Sequence, residues 1–178
     1  CYNFDMGRFL RKWLRDLRSE QYRTGGIPVT VPVQGFGFPT TIPPMAVDFW
    51  GDACVLAPWA LYQAEGDVEV LRENFDTMKR YVDACRFWAG FGVGDHRYIW
   101  HTPAVLHFGD WVAPDVPKMG QWQARSKWTA TASLQHTSAL VARIAKILGE
   151  EDAAEKYGSL SKRVSRAYRN VFTDGHDR

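Results

Sequence analysis

The chain has 178 residues, a length that suits one domain or a piece of a larger one. It is 46% apolar and 24% charged with a formal net charge of +2, a globular balance that excludes a disordered tail. Lysines and arginines alternate with acids, as in Arg11, Lys12, Arg15, Asp16, Arg18 and Glu20, so no face is set aside for nucleic acid, and no apolar run is long enough to span a bilayer.

The first predicted helix covers residues 5–21. Met6, Phe9, Leu10, Trp13, Leu14 and Leu17 fall at helical spacing, the opposite face is basic, and Asp5 is placed to cap the start. Five prolines and four glycines follow in "TGGIPVTVPVQGFGFPTTIPP", so residues 24–46 form a long irregular loop, of the kind that usually carries function. A second helix spans 52–65, with Pro58 expected to kink it or break it near Ala57. Gly66 stops it and Asp67 caps a third helix over 68–90, striped by Val68, Leu71, Phe75, Met78, Val82, Cys85 and Trp88. Residues 91–125 are loop-rich, with a short strand or hairpin expected near "RYIWH". A fourth helix covers 127–148 on the stripe Leu134, Leu140, Val141, Ile144 and Leu148. Gly149 ends it, and a fifth runs from 150 to 172.

Short links thus join helices into antiparallel hairpins, and long aromatic and proline-rich loops join one hairpin to the next. A four-helix bundle has short loops throughout. The alternation instead suits an all-α toroid of helical hairpins with the long loops, and the site, at one end. The chain opens on Cys1 and closes on "VFTDGHDR" straight after a helical pattern. Residues 1–178 therefore read as a fragment of one toroidal domain with both ends truncated, its missing remainder being its first partner. Lack of a signal peptide then carries little weight. Cys1, Cys54 and Cys85 are an odd set without paired spacing, which reads as reduced thiols and slightly favours a cytoplasmic setting.

Two short stretches stand out chemically. In "VDFWGDA", Trp50 and Asp52 flank a glycine just before a helix. Asp52 there is a natural helix cap and Trp50 a natural staple, yet a helix start at a loop end is also a place for a pocket. In "HFGDWVAPD", Asp110 and Trp111 sit on a glycine corner with no helical pattern around them. A carboxylate beside an indole suits a sugar: hydroxyls donate to the acid and C–H faces stack on the ring. A structural Asx-turn over a buried Trp fits the same residues. His96, His101, His107 and His136 match no standard metal spacing, so neither a metal nor any other cofactor is expected.

Several stretches in order, "FLRKWLRDLRSEQ", "GGIPVTVP", "WGDACVLAPWALYQAEGD", "FGDW" and "IAKILGEEDAAEKY", together resemble the catalytic domain of the α-L-rhamnosidases of glycoside hydrolase family 78. The resemblance implies a partial (α/α)6 toroid and an enzyme that hydrolyses terminal α-L-rhamnose from glycosides or polysaccharides with inversion. It implies substrate contacts at Trp50, Asp52, Asp110 and Trp111. It places the family's general acid upstream of Cys1 and its general base beyond Arg178, so no catalytic residue is assigned within the chain and the fragment alone is expected to be inactive. An inverting site needs two carboxyls roughly 6.5–9.5 Å apart, and neither Asp52 nor Asp110 is promoted to that role. Two other readings stay open: another (α/α)6 carbohydrate-active enzyme with a different sugar, and a non-catalytic helical binding module.

Overall fold

The computed structural model describes residues 4–33, 46, 49–100 and 121–173, the backbone alone over 121–125. Five helices follow in order: α1 (Gly7–Glu20), α2 (Ala53–Glu65), α3 (Glu69–Ala89), α4 (Gln121–Leu148) and α5 (Glu151–Phe172). A short 3-10 helix, Gly94–Tyr98, lies between α3 and α4. Among the described residues there is no strand. For the residues described, the strand or hairpin expected near "RYIWH" is therefore corrected: Arg97 and Tyr98 finish the 3-10 turn and Ile99 and Trp100 are in no strand, while His101 lies outside the described residues. The aromatic and β-branched residues that suggested a strand are used for burial instead, with Ile99 and Trp100 both in the interior.

α2 and α3 form one hairpin, α4 and α5 a second. Both turns are closed by a glycine in the left-handed region, which a Cβ would disfavour. Gly66 (φ 71°) donates its N–H to the Tyr62 carbonyl. Gly149 (φ 77°) and Glu150 donate to the carbonyls of Lys146 and Ala145, the paired bonds of a Schellman stop. Asp67 accepts from the Glu69 N–H at 2.9 Å and so serves the start of α3 as expected. Asp5 does the same for Gly7 at 3.2 Å. Pro58 does not break α2, which is continuous across it.

α1 lies along the first hairpin. Its Leu14 and Leu17 are buried, while Phe9, at the margin of the same stripe, is exposed. Arg11 holds the hairpin turn through Glu65 (2.6 Å) and Asp67 (2.8 Å), and Arg18 donates to Asn74 at 2.9 Å. Trp13 donates to the Val31 carbonyl at 3.0 Å, tying part of the proline-rich loop over α1. The core is continuous across both hairpins, from Leu71, Met78 and Val82 on α3 to Leu134, Val141 and Ile144 on α4 and Tyr157 and Val164 on α5. α4 is packed against α2, α3 and α5. It tolerates that crowding because its buried polar side chains are small: Thr137 donates to its own helix at the Ser133 carbonyl, 2.9 Å away.

Cross-contacts fix which ends come together. Gln21 and Tyr22, after α1, bond to Thr77 and Arg80 on α3. Asp52, before α2, meets Tyr81 on α3 and Ser133 on α4. Asp95, in the 3-10 turn, accepts from Asn170 near the end of α5. All the long connections therefore start and finish at one end, and both tight turns lie at the other. The end with the long connections carries exposed Phe87, Phe91 and Val93, with Phe87 edge-on to Trp88 and Phe91 at 5.3 and 5.8 Å. Such a patch invites association. The 178-residue chain produced by itself is expected to bind a hydrophobic dye under native conditions and to self-associate. A monodisperse, dye-silent monomer in light scattering would contradict this.

Candidate functional site

The turn before α2, at the loop end, is among the described residues. Phe49 adopts φ 66°, a left-handed conformation that is costly for a residue with a side chain. Trp50 follows, 42% exposed. Gly51 and Asp52 are both buried beneath it. A side chain at Gly51 has no room, since a Cβ there would lie 2.5 Å from Cε2 of Tyr81 and 2.7 Å from its hydroxyl oxygen. Glycine is thus required so that the chain can lie directly on the Tyr81 ring.

Asp52 occupies the N-cap position of α2, but its side chain makes no capping bond. Its residue exposure is 3%. Oδ1 accepts from the Tyr81 hydroxyl at 2.9 Å and Oδ2 from the Ser133 hydroxyl at 2.7 Å. The carboxylate therefore faces the interior, where three helices meet, and not the loop end. Burial, and after it the charge of Asp52, pushes the Tyr81 phenol well above its ordinary range, so it remains a donor at neutral pH. Burial and then the same charge push the Cys54 thiol up, which keeps it protonated and unreactive. Cys54 and Cys85 are both buried thiols.

Of the four residues expected at a sugar site, the structure places two. Trp50 is on the surface of the loop end, and Asp52 is in the layer beneath it. Asp110 and Trp111 lie outside the described residues, as do His101 and His107. Tyr81 and Ser133 were not singled out from the sequence. They read there as one more buried aromatic and one more small residue on helices, 29 and 81 positions from Asp52. Among the described residues no group of three or more His, Cys, Asp or Glu side chains could hold a metal ion. No helix among them is long and apolar enough to cross a membrane.

Helical hairpins packed side by side, with the connections between them leaving and returning at the end that carries Trp50, fit the architecture of a six-hairpin glycosidase. The profile of the bacterial alpha-L-rhamnosidase 6 hairpin glycosidase domain matches residues 1–178, and the chain belongs to that family. An α-L-rhamnosidase of Formosa agariphila is 32% identical over 174 residues, covering 96% of this chain and 17% of the relative. The crystal structure of Streptomyces avermitilis α-L-rhamnosidase complexed with L-rhamnose superposes with a TM-score of 0.69 at 33% identity, over 94% of this chain and 14% of that one. Native α-L-rhamnosidase from Aspergillus terreus gives 0.76 at 27% identity, over 94% and 18%. The chain thus spans less than a fifth of the length of these relatives. Their solved structures fit the (α/α)6 expectation, of which the five helices form a part.

Proposed function

We propose that the full-length protein is an α-L-rhamnosidase that removes terminal α-L-rhamnose from glycosides or polysaccharides with inversion, and that residues 1–178 supply part of its sugar pocket. The observation that carries this reading is the match of the whole chain to the family, at 32% identity to a relative of that activity. In this reading Trp50, Asp110 and Trp111 line the rhamnose subsite. An indole face suits the apolar C–H side of the ring and its C6 methyl, while the Asp110 carboxylate takes hydroxyl protons. The acid and base that break the bond belong to parts of the protein outside this chain. An inverting reaction sets them far enough apart for a water between them, roughly 6.5–9.5 Å.

The test is an assay of the full-length protein on aryl α-L-rhamnoside, with the anomeric proton of the released sugar followed by NMR. Release of rhamnose whose first-formed anomer is inverted is expected. No turnover of the rhamnoside, with turnover of an aryl hexoside in the same panel, would replace this reading by a six-hairpin enzyme for another sugar.

A further inference from the structure

We propose that Asp52, with Tyr81 and Ser133, is a positioning device for Trp50, acting on substrate through the indole and not by touching the sugar; the inference rests on the reading of Trp50 as a pocket wall. Three observations converge. Both carboxylate oxygens of Asp52 accept hydroxyls from helices α3 and α4, and the residue is 3% exposed, so the protein itself engages the carboxylate from two sides. Gly51, the residue between Asp52 and Trp50, lies with its α-carbon against the Tyr81 ring, where even a methyl would sit 2.5 Å from Cε2. Phe49, the residue before Trp50, holds φ 66°, a conformation that persists only where the neighbouring chain fixes it.

The physical consequence is a turn clamped from below at two successive residues. Tyr81 acts twice, its ring supporting Gly51 and its hydroxyl holding Asp52. Ser133 brings in the second hairpin, so the direction of the Trp50 indole is set jointly by α2, α3 and α4. Removing one hydroxyl leaves the fold and the Tyr81 ring in place but releases one side of the clamp. The indole then samples orientations that do not stack on the sugar, and binding weakens while the chemical step is left alone.

The experiment uses the full-length protein and an aryl α-L-rhamnoside. Tyr81→Phe and Ser133→Ala are made singly, each also in a Trp50→Ala background, with Ser133→Thr as the variant that keeps the hydroxyl. Circular dichroism reports whether each is folded. Tyr81→Phe and Ser133→Ala are each expected to raise KM about three- to tenfold, part of the stacking contact that Trp50→Ala removes whole, with kcat changed less than about twofold. Ser133→Thr is expected to retain KM. In the Trp50→Ala background neither substitution is expected to raise KM further. If Trp50→Ala raises KM but the two hydroxyl deletions do not, the positioning role is overturned and the pocket wall stands. If the deletions raise KM equally with and without Trp50, they act by another route and the inference is again overturned. If Trp50→Ala itself leaves KM unchanged, the wall reading fails and the inference falls with it. Should Tyr81→Phe fail to fold, Ser133→Ala alone decides by the same comparison.

Discussion

Trp50→Ala in the full-length protein is expected to lower kcat/KM for an aryl α-L-rhamnoside about thirtyfold, nearly all of it through KM. Trp50 is 42% exposed, so part of the residue is covered by protein and a large part of it is accessible. Covering that accessible part with a sugar contributes about 2 kcal/mol, by the scale for burying a large apolar side chain. At about 1.4 kcal/mol per factor of ten, the loss is close to thirtyfold. Contact with a non-reacting part of the ring stabilises ground and transition states alike, which is why KM is the parameter that moves. Trp50→Phe keeps a flat apolar face and is expected to recover most of the loss. Steady-state kinetics on the two variants checks this, and equal kcat/KM for wild type and Trp50→Ala would refute it.

Trp100→Ala is expected to cost about 3–5 kcal/mol of stability, the range for removing a large aromatic from a core. Trp100 is fully buried and is the largest of the completely enclosed side chains among the described residues. Its backbone N–H donates to Thr131 on α4 at 3.0 Å, and the Thr131 hydroxyl in turn donates to the Lys127 carbonyl at 2.6 Å. The residue thus fixes the start of the second long connection onto α4. Loss of the side chain leaves a void that the helices around it fill only in part. An unfolding free energy from urea titration of the full-length variant within about 0.5 kcal/mol of wild type, the level of an ordinary surface change, would show that the site is not under this constraint.

Helix positions were legible in this sequence where an apolar stripe met a glycine stop. α2, α3 and α5 lie within one residue of the pattern read from their side chains, and α1 within two. The start of α4 was less legible. It begins at Gln121, six residues ahead of the expected 127, because "QWQARS" is too polar to extend the stripe that marks the rest of the helix. Of the two outcomes expected at Pro58, a kink or a break, the break does not occur: a proline costs a helix bond but need not end the helix. The candidate site was legible in kind and not in depth. That Trp50 and Asp52 share a turn can be read from three adjacent letters. That one is on the surface and the other beneath it depends on Tyr81 and Ser133, and nothing local in the sequence points from Asp52 to residues so distant along the chain.

The separation of the two ends has a consequence for how such a molecule can be altered. Gly66 and Gly149 turn the chain where no long connection arrives, and each turn is stabilised by its own backbone bonds. Extra residues spliced in at either turn would alter the outer rim and leave the loop end as it is. The loop end is the reverse case, because the turn carrying Trp50 is held by three helices at once. A tether or reporter therefore has a safe address at the glycine turns. On the proposed reading, changes of sugar preference are to be made in the loops, above a support of Asp52, Tyr81 and Ser133 that is left intact.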